Sequence, residues 1–408
     1  MDYFIINQEK IYIDYKEDKL IFSKYVNDEL IELSEEEKNE LLNSLKLDDK
    51  YMYDSQRLIE LMNSNPLLSD SFKLTPNFVV SFDYCYDLLS YVEQIIPEKY
   101  RSIFYNNIKT LKIELKEKIH LKKEVADNAF AYYNREDNTI VIIKERIDEF
   151  IESVKLIDDY EKWVYAKVTV TLLHELFHAA SSNVDVAGFD SNSNPGLVIK
   201  GLTEGMTDRL AYLTASFIGI KPEMMLPSGY FIELLIVDQL MIIIGHQPMI
   251  DSYFGNLGVE PLCDKLSEID DFNAKYLFTL IELEYSLRMK GNNDERTTLG
   301  SIQEKLVDYF SKVILKDIEN GLEEETIREK IIPYKGSLIT KELLSKMQLN
   351  PDNYINLNIS LEKFENFESE LNKFFKTRTR RTNAILRKHF KLDKISIWKL
   401  KSSLKKHL

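Results

Sequence analysis

The sequence predicts an α+β protein that is mostly helical, and three observations lead there. Glycine and proline, the residues least compatible with a helix interior, number only 13 and 10 in 408 residues. Hydrophobic residues make up 44% of the chain and aromatics 11%, enough for a large core, while 29% charged residues supply polar faces. Alternating β patterns are confined to short stretches, whereas apolar residues at spacings of three and four dominate from Pro76 onward. A chain of this length is expected to hold two or three structural units. They are read as an N-terminal α+β unit over residues 1–75, a main domain over 76–345 and a C-terminal helical segment over 346–408 with a basic tail.

The first unit opens with a strand from Ile11 to Tyr15, a turn over residues 16–19 and a returning strand from Leu20 to Phe22. Ser34 followed by Glu37 is a capping box, so a helix rich in Glu and Leu starts there. Between Phe130 and Ile143 the pattern is strand, polar turn, strand, and the second strand is wholly β-branched from Thr139 to Ile143. A helix from about Asp159 to Ala180 follows, with Val164, Val168, Leu172, Leu173, Leu176 and Ala180 on its apolar side. The stretch from Ser181 to Gly196 is polar and full of turn residues, hence a loop. A second helix runs from about Thr203 to Phe217, with Met206, Leu210 and Leu213 facing one side. A third is opened by Ser228 and closed by Gly245, and further helices fill residues 271–320 and 359–374. No internal repeat or low-complexity tract interrupts this order.

The N-terminus lacks a basic start followed by an apolar run, so no secretory signal is visible. The longest apolar stretch, from Phe231 to Ile244, contains Glu233, Asp238 and Gln239 and is shorter than the ~20 apolar residues of a membrane span. A soluble, cytoplasmic protein is expected. Cys85 and Cys263 are far apart and form no paired motif, which fits a reducing compartment and argues against thiolate metal ligands. The net charge of −14 conceals an asymmetry, because Lys376 to Leu408 carries twelve Lys and Arg against one acid, Asp393. The preferred reading is a tail that docks on the acidic body or is solvated; the other is contact with nucleic acid or an anionic membrane surface.

The chemistry concentrates at His174-Glu175-Leu176-Phe177-His178, near the end of the long helix. Residues four apart lie one turn above each other, so both imidazoles leave the same face and can reach one ion. Glu175 projects beside that ion, where it can take a proton from the water the metal activates. A catalytic zinc needs a third protein ligand and an open position. The residue six places after His178 is Val184, so a third histidine at the metzincin spacing is absent. Downstream, Leu202-Thr203-Glu204-Gly205-Met206-Thr207-Asp208 puts Glu204 and Asp208 on one helix face. Gly205 and Thr207 are poor helix formers, and their use suits a place of close approach.

With these motifs the sequence resembles the gluzincin peptidases, the thermolysin-like group, as a distinct branch. The resemblance implies a zincin-like core in which Glu204 is the third zinc ligand and Asp208 orients His174 or His178. It also implies that Asn128-Ala129-Phe130 leads into an edge strand that binds the substrate backbone. The family's Asn before the ligand Glu is replaced here by Thr203. An oxyanion donor is expected downstream of Glu204 from Tyr212, Tyr230 or His246, with Tyr230 preferred because it begins a helix near the site. His120, His389 and His407 have no neighbouring ligand residues. The expected function is hydrolysis of a peptide or protein substrate by a Zn2+ metallopeptidase with Glu175 as general base. The alternatives are a regulatory or toxin-like effector acting on one partner, and a noncatalytic zinc scaffold.

Overall fold

The structure is a computed structural model of the full chain. It describes residues 2–6, 9–16, 19–26, 29–34, 37, 55–68, 71–75, 78–121, 129–183, 186–190, 199–225, 229–270, 273–290, 298–347, 349–351, 354 and 356–390. The chain divides into two compact units, Met1–Leu61 and Met62–Leu408.

The first unit contains an antiparallel meander of β1 (Asp2–Ile6), β2 (Glu9–Lys16), β3 (Lys19–Val26) and β4 (Glu29–Glu32) in sequence order. Its central pair carries the expected hairpin, with Lys16 opposite Lys19. The outer strands were not expected. The capping box is present in reciprocal form: Ser34 Oγ accepts from the Glu37 N–H at 3.2 Å, and Glu37 Oε2 accepts from the Ser34 N–H at 2.9 Å. The body of the helix that this box would start lies outside the described residues. Helix α1 (Ser55–Asn63) crosses the division between the units.

The second unit is mostly helical, with two small sheets. β5 (Phe72–Thr75) and β6 (Phe78–Val80) form a hairpin, followed by α2 (Phe82–Ile95) and α3 (Arg101–Ile108). The other sheet consists of β7 (Lys112–Lys116), β8 (Ala131–Asn134) and β9 (Thr139–Ile143) in the order β7-β9-β8. β8 and β9 are the expected antiparallel pair. β7 is an addition to the sequence expectation; it pairs in parallel with β9, whose five residues are all buried. Among the described residues β8 is thus an edge strand. Ile143 N–H bonds to Phe130 O at 3.0 Å, so by antiparallel alternation Tyr132 and Asn134 face β9, while Ala131 and Tyr133 turn their backbone groups toward the outer edge.

After α4 (Lys144–Val154), the long helix α5 (Tyr160–Ser181) packs on α2, α3, α4 and β8. α6 (Lys200–Phe217) starts three residues before the sequence expectation and packs on α5. α7 (Phe231–Ile244) covers α6 and ends at Gly245, whose φ of 92° suits glycine. Ser228, the expected opening residue, lies outside the described residues. α8 (His246–Gly255), α9 (Glu260–Ser267), α10 (Ala274–Met289), α11 (Thr298–Glu319), α12 (Glu324–Gly336), α13 (Lys341–Lys346) and α14 (Leu357–Phe390) complete the unit, with α10 against α6 and α14 against α11. Side chains after Thr377 and all of 391–408 lie outside the described residues, and the docking of the basic tail with them. Both cysteines are free and buried. No helix among the described residues is long and apolar enough to cross a membrane.

Candidate metal centre

From Ala166 to Ser181 nearly every residue of α5 is buried, so the histidine helix is a core element. Its last carbonyls are held by asparagine amides. Asn107 Nδ2 donates to Ala179 O and Ser182 O, each at 2.7 Å, and Asn256 Nδ2 donates to Ser181 O at 2.9 Å and Gly188 O at 3.1 Å. A helix end would otherwise leave such acceptors without partners. The turn that carries His178 is fixed by these contacts.

α6 brings Glu204 and Asp208 against this face. Gly205 makes the approach of α7 possible: a Cβ there would lie 2.5 Å from the backbone carbon and oxygen of Glu233. The close approach inferred from the sequence is therefore between helix backbones. Thr207 Oγ1 donates to Thr203 O at 2.7 Å and lies 2.7 Å from the Tyr253 hydroxyl, which is 3.3 Å from Phe177 O. These contacts join α6, α8 and α5 just behind the histidines.

His174, His178 and Glu204 converge. His174 Nε2 lies 3.1 Å from His178 Nε2, and each nitrogen lies 3.2 Å from Glu204 Oε2. His174 is buried and the other two are part-buried; together they form a group able to hold a metal ion. The near-equilateral triangle agrees with a tetrahedral zinc site, in which bonds of ~2.0–2.1 Å put ligands about 3.3 Å apart. Asp208 Oδ1 accepts a hydrogen bond from His174 Nδ1 at 2.6 Å. That bond assigns the Nδ1 proton and leaves Nε2 to point its lone pair into the triangle. Two imidazole nitrogens and a carboxylate oxygen facing one another at 3.1–3.2 Å can be bridged by a metal ion or, without one, by imidazole protons.

The electrostatics follow. Burial works against the His174 imidazolium, but the charge and hydrogen bond of Asp208, with Glu204 and Glu175 nearby, hold its pKa well above the ordinary histidine value. Burial raises Glu204, yet the charge of His178, hydrogen bonds from both histidines and the charge of His174 outweigh it and hold the carboxyl well below the usual range. Without metal, these carboxylate neighbours favour the charged form of His174. Its contribution to stability is complete below about 6.5, the unfolded value, and is lost as pH rises through the raised folded value. A metal must displace that proton, so its affinity should increase with pH until His174 titrates. Calorimetry in buffers of different ionisation enthalpy should find about one proton released per ion. An affinity independent of pH between 6 and 8, on the order of the histidine range, would contradict this.

Glu175 is buried outside the triangle. Burial raises its pKa, while both histidines and the backbone of Tyr133 on β8 pull the other way. Tyr230 sits at the N-terminal end of α7 with its ring stacked on His174, centroids 5.6 Å apart and planes 14° apart. The charge of Glu204, then burial, pushes its phenol well above the ordinary value, so the hydroxyl stays protonated. The Arg288 guanidinium on α10 donates to Gly229 O and to the buried Glu233 carboxylate, pinning the corner that carries Tyr230.

Of the proposed donors, then, Tyr230 is at the trio. Tyr212 lies eight residues, or about 12 Å, along α6 from Glu204. His246 opens α8, where its charge acts on Asp238. Asn128 lies outside the described residues, and Ala129 and Phe130 lead directly into β8. His120 is exposed in a short 3-10 turn, and the side chains of His389 and His407 lie outside the described residues. Arg288, Tyr253, Asn107 and Asn256 were not anticipated; each is a lone polar residue whose role arises only from tertiary contact. No family model, curated protein or solved structure matches the chain.

Proposed function

We propose that this chain is a zinc metallopeptidase with a zincin-like core, a distinct branch of the gluzincin type, that hydrolyses peptide bonds. The observation that carries the reading is the triangle of His174 Nε2, His178 Nε2 and Glu204 Oε2 at 3.1–3.2 Å, with Asp208 oriented behind His174. Zinc held by those three atoms would polarise the scissile carbonyl and make water nucleophilic at neutral pH. Glu175, raised by burial, is suited to take a proton from the attacking water and return it to the leaving amine. The protonated Tyr230 hydroxyl is a donor for the oxyanion that develops on the carbonyl. The outer edge of β8, where the Ala131 backbone is turned outward and the Tyr133 backbone faces Glu175, suits antiparallel addition of a substrate strand.

A buried carboxyl beside the ligands favours catalysis over a purely structural zinc site, which has no use for a base. Two buried free thiols suit a cytoplasmic setting. The test is metal analysis of the purified chain together with cleavage of a peptide mixture mapped by mass spectrometry. About one zinc per chain is expected, along with cuts in the peptides and loss of both in Glu204→Ala. Two tightly held zincs, or a zinc-loaded chain that cuts nothing, would overturn the proposal.

A further inference from the structure

Between Ala166 and Ser181 the only residues of α5 that are not fully buried are Lys167, Thr171 and His178. With His174 they follow spacings of four, three and four, so they share one helix face. The stripe of α5 that solvent reaches thus runs from the metal centre back to Lys167, about 10 Å along the axis. Phe130, just ahead of β8, lies at the Lys167 end of this stripe, with its ring centroid 5.2 Å from the Lys167 Nζ.

Among the described residues no acid forms an ion pair with Lys167, and its nitrogen is not one of the sealed polar atoms without a partner. The ammonium therefore reaches solvent on this face. Burial lowers its pKa, opposed only by the charge of Asp208, which is already hydrogen-bonded to His174. The ammonium is held on this face by an aromatic ring and not by a carboxylate, which leaves its charge available to an anion.

We propose that Lys167 is a substrate anchor whose ammonium binds a carboxylate of the peptide, either an acidic side chain or the free chain end. This deepens the metallopeptidase reading and rests on it. A strand advances about 3.3 Å per residue, so the anchored group lies roughly two or three residues from the reacting bond.

Three peptide hydroxamates of one backbone test the idea by calorimetry on the zinc-loaded full chain at low salt. The first has a glutamate side chain and an amidated end, the second glutamine and an amidated end, the third glutamine and a free carboxylate. A fourth probe is the glutamate peptide without the hydroxamate. The first or the third should bind at least about tenfold more tightly than the second, and which of them does so identifies the source of the carboxylate. Lys167→Met should abolish that preference, leave the affinity of the second probe unchanged and melt no lower than the parent. Lys167→Arg should retain part of the preference, and it carries the comparison should the methionine variant fail to fold. Equal binding of the charged and neutral probes, or a preference that survives Lys167→Met, overturns the anchor while hydroxamate binding leaves the hydrolase standing. If the hydroxamates bind no better than the plain peptide yet the glutamate preference depends on Lys167, the hydrolase reading fails and the anion site stands. Absence of both effects removes both.

Discussion

Glu175→Gln is expected to bind zinc about as tightly as the parent while turnover falls by roughly 100-fold or more, the range that loss of a general base usually gives. Glutamine keeps the size of the buried side chain and can still hydrogen-bond water, but it cannot accept a proton at neutral pH. Glu175 stands outside the ligand triangle, so its carboxylate is not needed to retain the metal. The folded state should lose little, since a buried carboxyl whose pKa is raised by burial is replaced by a neutral amide. His178→Ala removes a ligand and should lose metal and activity together. Parental turnover in Glu175→Gln with zinc bound would rule out the general-base role.

Gly205→Ala should be among the most destabilising single-methyl changes in the second unit. In an unobstructed helix the replacement gains about 1 kcal/mol from helix propensity. Here the new Cβ would meet the carbonyl carbon and oxygen of Glu233 at 2.5 Å, and a backbone cannot rotate aside. Overpacking of this kind costs about 3 kcal/mol. Because Glu233 lies in the first turn of α7, displacement of that turn also shifts Tyr230 away from His174, so activity should fall in the variant that remains folded. Gly336→Ala, where the methyl meets nothing within 4 Å at a helical position, is the control and should not lower stability. Chemical denaturation of both variants compares them; equal midpoints would show that the α6–α7 crossing relaxes freely.

The local part of the centre was legible because it depends on helical periodicity alone: His174 and His178, and then Glu204 and Asp208, share faces wherever those segments are helical. Which histidine Asp208 serves was not legible, since that depends on how α5 and α6 are rotated against each other. Tyr230 could be favoured by its place in the chain but not separated from 22 other tyrosines without the ring contact with His174. α6 begins at Lys200, before the expected Thr203, although Gly201 is a poor helix former; a Cβ there would lie 2.7 Å from the Tyr285 Cβ, so the glycine is used for packing on α10. β7 carries only five residues of mixed polarity, and its partner β9 starts more than twenty residues later, so no local pattern announces it. Lys167 reads in the sequence as one more charge on a helix; its place on the solvent-reached face with the two histidines follows from what buries the rest of α5.

Arg288 gives the centre a further property. The guanidinium that holds the Gly229 carbonyl comes from α10, so the register of the Tyr230 corner is set by a helix well downstream of both ligand-bearing ones. A fragment restricted to α5 and α6 would keep all three metal ligands and leave the phenol without its mooring. Transplanting the centre to another scaffold would require three discontinuous segments in mutual register, and a graft of the paired histidines with Glu204 alone would inherit a chelator.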